Sequence, residues 1–249
     1  MSIIIPSEHN CNCRSGKTWH TYKYLEDQLL NTSRYITLSR EKNAETWSEE
    51  LASLLILTGS AIDTFFREMK TCPYLQNEDS FKNVDERVKK REESGKGSPF
   101  WDINDFRDAF NPFYEFHENL IQAPFGLDNY GELKPFEKFS KKEEVPSWWT
   151  NYNHVKHDYY KNIKEANLDS VINAQGGLLI LNSLHKCSQE YFIKSRHLKD
   201  ETYMIERLAQ SKIGCKYPIP YLIRPYIQTS IFVFNLREDK IESVSNHFR

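Results

Sequence analysis

Residues 167–184, Asn167-Leu-Asp-Ser-Val-Ile-Asn-Ala-Gln-Gly-Gly-Leu-Leu-Ile-Leu-Asn-Ser-Leu184, decide the fold. Asn167 suits a helix N-cap, because its carboxamide oxygen can accept from an amide one turn in. Behind it Leu168, Val171, Ile172, Gln175, Leu178, Leu179, Leu181 and Leu184 spread around the helix, out to Phe192, instead of keeping to one stripe. A helix that is apolar on several sides must be covered on several sides, which predicts the central member of a helical bundle.

Working outward, Thr46-Trp47-Ser48-Glu49 matches a capping box, and Leu51, Leu54, Leu55, Ile62, Phe65, Phe66 and Met69 then give a long helix that stops before Pro73. Asp63 borders its apolar face near Gly59. It either pairs with Arg67 one turn on or orients a polar group of a neighbouring helix. Tyr24 to Tyr35 reads as a short helix and Asn104 to Ile121 as a third, bent at Pro112. The mixed charges of Phe81 to Ser98 read as a solvated helix and loop. Residues 126–146 are loop-like, with a short extended piece around Leu133 to Phe139. A short helix is expected near residues 201–210, and strand formers gather at Ile227 to Phe234. The fold class is therefore all-α, a bundle of four or more helices with an irregular C-terminal segment that is either a tail or a small β appendage. Residues 1–23 form an irregular lead-in, 24–198 the bundle, and 199–249 an appendage packed on it.

Gly numbers only 9 and aromatics make up 14% of the 249 residues, which favours helices packed through large rings over glycine-rich nucleotide loops. A net charge of −2 withholds the global basic footprint of non-specific nucleic-acid binders, so any such role needs a local patch. Without an apolar run of about 18 residues or a secretion signal, the expectation is a cytoplasmic protein with no membrane partner. Five scattered cysteines fit reduced thiols. Arg14-Ser-Gly-Lys-Thr18 ends like a phosphate loop but has Cys11 where that loop needs its first glycine. His9, Cys11, Cys13 and His20 do not keep a regular zinc spacing, so neither a metal nor a cofactor is expected.

The densest chemistry lies in Trp148-Trp-Thr-Asn-Tyr-Asn-His-Val-Lys-His-Asp158. After Pro146-Ser147 these residues read as a helix. One stripe holds Trp148, Tyr152, Val155, Tyr159 and Ile163, and a second holds Trp149, Asn153, His157, Tyr160 and Lys164. His157 thus leaves the apolar face and lies one turn from Asn153, beside Lys156. The same pattern would serve an ordinary packed helix whose rings are buried and whose polar tips are wet.

Trp148-Trp149-x-x-Tyr152-Asn153-x-x-Lys156-His157, followed by the apolar helix from Asn167, resembles a group of uncharacterised bacterial helical proteins and, more distantly, the HEPN superfamily. Residues 35–69, with Glu50, Gly59, Ser60 and Asp63, fit the same group, and the resemblance spans residues 24–192. It implies a HEPN-like homodimer that binds RNA or a nucleotide, in a defence or toxin–antitoxin setting. In HEPN nucleases an Arg is followed, after four to six intervening residues, by a His. Here His157 matches the His and Asn153 an Asn one turn before it, but no Arg lies between Glu143 and Tyr160, and position 150 is Thr. Metal-independent RNA cleavage needs a general acid or base and a cation for the charge on phosphorus. His157 would supply the first and Lys156 the second, as a point charge without Arg's fork. The resemblance thus implies catalytic roles for His157, Lys156 and Asn153, with Trp149, Tyr160, Asp158 and Asp63 as ligand-binding neighbours. A non-catalytic dimerisation or protein-interaction module stays open, as does a purely structural role in which Asn153 and His157 tie their helix to the Asp63 helix.

Overall fold

A computed structural model of the chain describes residues 15–95, 97–123, 130–194, 198–199 and 226–235. At its centre lies the helix α9 (Leu168–Leu184), fifteen of whose seventeen residues are buried; the Asn167 carboxamide oxygen accepts from Ser170 N at 3.0 Å at its start. Its main partner is α3 (Glu49–Lys70), and α1 (Ser15–Thr32) and α7 (Ser147–His157) each pack on both. Short helices α2 (Arg40–Asn43) and α4 (Pro73–Gln76) flank α3, and α5 (Asp79–Glu93) pairs with α6 (Ile103–Tyr114) as a lateral hairpin. After α7 come α8 (Tyr159–Asn162) and a 3-10 turn at Ile163–Glu165; α10 (Lys186–Lys194) follows α9.

The described residues are mostly helical, as the apolar periodicity predicts, and among them lies one small antiparallel sheet beside the bundle. Five short strands, β1 (Ile121–Ala123), β2 (Gly131–Leu133), β3 (Leu198–Lys199), β4 (Tyr226–Gln228) and β5 (Val233–Asn235), take the order β2-β1-β5-β4-β3. The strand formers of residues 227–234 do pair, Ile227 opposite Phe234. Two of the strands come from residues 121–133, so the bundle segment and the C-terminal segment share the sheet. Buried Glu26 of α1 holds the β4–β5 turn: its carboxylate accepts from Ile231 N at 3.1 Å, Ser230 N at 3.3 Å and Tyr22 Oη at 3.0 Å, and from Lys23 Nζ.

Several boundaries differ from the sequence reading. The first helix begins at Ser15, not near Tyr24, because Trp19, Tyr22, Leu25 and Leu29 make one buried stripe. The cap of α3 is Ser48, whose Oγ accepts from Leu51 N at 3.1 Å, and not Thr46. Asp102 and Asp105 form the capping box of α6, which ends at Tyr114 with Glu115 in the left-handed region at φ 50°; Ile121 is already strand. Residues 137–140 form a 3-10 helix where an extended piece was expected. The central helix stops at His185, so Phe192 belongs to α10. His9, Cys11, Cys13, Cys215, the helix expected at 201–210 and Pro218, Pro220 and Pro225 lie outside the described residues. Among the described residues no helix is long and apolar enough to cross a membrane.

Close approach of α3 and α7 depends on Gly59. A Cβ there would stand 2.3 Å from Cδ2 of the buried Tyr152 ring. Gly59→Ala should therefore destabilise the protein by about 1–3 kcal/mol as the ring and helix shift, which lowers Tm by several degrees in a chain of this size. Calorimetric melting checks this; an unchanged Tm would mean that α3 and α7 do not meet at this glycine.

Candidate functional site

The α7 helix carries polar chemistry on two edges. Its own position is fixed by Trp148, which is buried and donates from Nε1 to Pro135 O at 2.8 Å, and by Tyr152 against α3. The helix ends at His157 because Asp158 leaves helical geometry (φ −146°, ψ 78°), and Asn162 Nδ2 donates at 2.9 Å to the His154 carbonyl. The single stripe predicted from Trp149 to Lys164 is thereby broken. Trp149 is buried, whereas Tyr160 lies on α8, 93% exposed.

The predicted site residues separate accordingly. His157 is exposed and, among the described residues, has no hydrogen-bond or ion-pair partner; Asp158 is exposed beside it. Lys156 Nζ donates to Tyr152 Oη at 3.0 Å and lies 5.1 Å from the centroid of that ring, with Ser60 Oγ 3.4 Å from the same hydroxyl. Asn153 donates to its own helix, at 3.0 Å to Trp149 O. Asp63 makes the ordinary surface pair with Arg67 at 3.2 Å, and so does not reach α7. The structural strut between His157 and Asp63 is absent, because each side chain is turned to other surroundings.

What these residues do form is an exposed aromatic and basic edge. Tyr160 packs edge-on against Tyr159 at 5.6 Å, with Lys161 next in sequence, and Lys164 Nζ lies 5.9 Å from the centroid of the part-exposed Trp47 ring. Tyr159 donates to Glu49, and that hydrogen bond to a carboxylate pushes its phenol up to about 12. His154 Nδ1 meets Glu165 Oε2 at 2.7 Å, which ties the end of α7 to the following turn.

The opposite edge of α7 opens on a polar cleft of about 480 Å³ that the sequence reading missed. Arg40, Asn151, Asn167, Asp169 and Asn173 line it. Asp169 Oδ2 accepts from Asn173 Nδ2 at 3.1 Å, while Oδ1 is buried with no hydrogen-bond partner and has Arg40 Nε 3.8 Å away. Burial raises the Asp169 carboxyl pKa and Glu45 adds to this, against the opposing pull of Arg40. The buried hydroxyl of Tyr130 also lacks a partner, and burial together with the Asp169 charge pushes its pKa far upward. The first amides of α9 are already used: Leu168 N donates to Thr46 O at 2.9 Å, Asp169 N to Ala44 O at 3.1 Å and Ser170 N to Asn167. The helix start therefore offers no anion cradle. Glu45, Lys134, Glu137 and Lys138 also line the cleft, so charges of both signs surround its amides. Its sequence signal was the polar group Asn167, Asp169, Ser170 and Asn173 heading an otherwise apolar helix, but Arg40 comes from far away in the chain. Cleft and edge adjoin, because Trp47 bridges backbone to backbone with Asn167.

No protein-family model, curated relative or solved structure matches this chain.

Asp169 gives a pH-dependent prediction. Its folded pKa is raised, so its contribution to stability is full below the unfolded value of about 3.9 and is lost as pH rises through the folded value. Asp169→Asn, which stays neutral and keeps an acceptor for Asn173, should be more stable than the parent at pH 7, and the difference should close towards pH about 3.9. Denaturant melts across this range measure it; a difference independent of pH would clear the carboxyl of any cost.

Proposed function

We propose that this helical protein binds RNA or a nucleotide along the Tyr160–Lys164–Trp47 edge, with a base or ribose edge taken by the adjoining Asp169 cleft. The observation that carries the reading is the bare ring of Tyr160, 93% exposed between the His157 turn and Lys161. Every base has a face to stack on such a ring, and lysines beside it neutralise phosphates without reading sequence. A net charge of −2 makes a local edge of this kind the place where a polyanion would dock.

Binding is a better reading than cleavage. A general base needs an orienting partner within hydrogen-bond reach. His157 has none among the described residues, Lys156 is engaged by Tyr152, and Thr150 stands in the neighbourhood where the HEPN resemblance would want an arginine. The ribonuclease of a defence or toxin–antitoxin system would need its second catalytic group from another copy of the chain.

Fluorescence anisotropy with a short single-stranded RNA tests this. Tyr160→Ala should weaken binding about five- to a hundredfold, since one stacked base is worth about 1–3 kcal/mol. Replacing Lys161 and Lys164 by Ala should flatten the dependence of log affinity on log salt by about 0.7 for each phosphate that is no longer neutralised. RNA should stay intact with the parent protein. Metal-independent cleavage abolished by His157→Ala would replace binding by catalysis, and failure of the parent to bind RNA or mononucleotides would end the reading.

The resemblance also implies a homodimer. Leu57 and Tyr35, 50% and 89% exposed, border an apolar groove of about 710 Å³ between α1 and α3, which we propose as the contact between two copies. Sedimentation should give twice the chain mass, and Leu57→Glu should return a monomer; a monomeric parent protein would rule the contact out.

A further inference from the structure

The α3–α4 and α9–α10 junctions meet in a buried cluster that neither the edge nor the cleft uses. Cys72 precedes Pro73 at the start of α4; His185 terminates α9 in extended geometry; Cys187 follows two residues later on α10. Their relative exposures are 0%, 2% and 9%. One donor atom from each lies within 4.8 Å of the others, and the two sulfurs are 3.9 Å apart. A disulfide would need about 2.05 Å. Two thiolates on one tetrahedral zinc ion, each at about 2.3 Å, stand roughly 3.8 Å apart.

His185 supplies an independent sign. Its Nδ1 lies 3.1 Å from the Tyr114 hydroxyl, while Nε2 is buried and has no hydrogen-bond partner. Such a nitrogen bears its full desolvation cost unless something accepts its lone pair. The tautomer in which Nδ1–H donates to the Tyr114 hydroxyl leaves Nε2 free to ligate, the usual way an outer hydrogen bond orients a metal-bound histidine. Two thiolates and an imidazole are a soft donor set suited to zinc, and two negative sulfurs cancel the charge of a divalent ion, which makes the site tolerable in an apolar interior.

We propose that Cys72, Cys187 and Nε2 of His185 bind one zinc ion that fastens the two helix junctions together. As the two zinc–sulfur bonds form, each thiol gives up its proton to solvent, with no oxidation or reduction. Because the site is buried at the junctions of the central helix pair, its effect is on folding.

The chain has three other cysteines, Cys11, Cys13 and Cys215, so the test must exclude them. Protein with all three replaced by Ser keeps Cys72 and Cys187 alone. Produced with zinc in the medium, it should carry about one zinc per chain by elemental mass spectrometry. With cobalt(II) it should show near-ultraviolet thiolate charge-transfer bands, and chelation should lower its Tm. Further Cys72→Ser or His185→Ala replacement should remove the metal and the bands. A triple variant that folds without metal and gains no Tm from added zinc would overturn the proposal, as would a spontaneous Cys72–Cys187 disulfide in its place.

Discussion

Everything in this fold depends on α9 being covered on all sides. Apart from Asp169 and Asn173, which line the cleft, the polar side chains of this helix are buried, and the partners they find set the register of the neighbours. Gln175 donates at 3.0 Å to Leu25 O, and Asn182 accepts from Thr18 Oγ1 at 3.0 Å while donating at 2.9 Å to Leu178 O. These bonds fix α1 along α9 at two heights. Between them Gly176 lets Ile121 of β1 pack where a Cβ would stand 2.4 Å from its Cδ1, so the sheet can rest directly on the helix. The polar atoms therefore specify which helix lies where, whereas the apolar area supplies the driving force.

The second fixed point is Glu26. Its carboxylate, buried within α1, is tolerable because several donors converge on it, two of them backbone amides of the β4–β5 turn. A strand pair far along the chain is thereby pinned to the first helix, and through β5 to β1. No sequence pattern announces this, since the signal is one glutamate in a helix that also carries Asp27 at the next position.

What was legible in the sequence follows the same division. The course of α9, its Asn167 cap and the extent of α3 could be read because they rest on local periodicity and on side chains within one turn. The break after His157 could not, because it depends on Asn162 reaching back to the His154 carbonyl, and an unbroken 3.6-residue pattern through Lys164 hid it. That break decides the edge: it buries Trp149, frees Tyr160 and leaves His157 at a helix end without Asp63 for a neighbour. The cleft and the Cys72–His185–Cys187 cluster were illegible for a different reason. Each joins residues more than a hundred positions apart, and His-x-Cys is not a spacing that suggests a metal.

The cleft and the edge are unequal in what they cost the protein. Lysines and an exposed ring on a surface turn cost little. Asp169 is another matter, with an oxygen buried without a hydrogen-bond partner and a carboxyl pushed towards its neutral form, next to a phenol in the same condition. A core under pressure only to be stable would replace both, since volume-matched apolar or amide side chains remove the penalty. Of the two, Asp169 lines the cleft, with Arg40 Nε 3.8 Å from its buried oxygen, whereas Tyr130 lies behind it and feels the Asp169 charge. A ligand edge in the cleft that completed the Asp169 shell would bring a donor to the ionised carboxylate or an acceptor to its protonated form. A nucleobase edge has both kinds of group side by side, whereas a bare phosphate has acceptors alone and would meet a carboxyl and a helix start with no amide to spare.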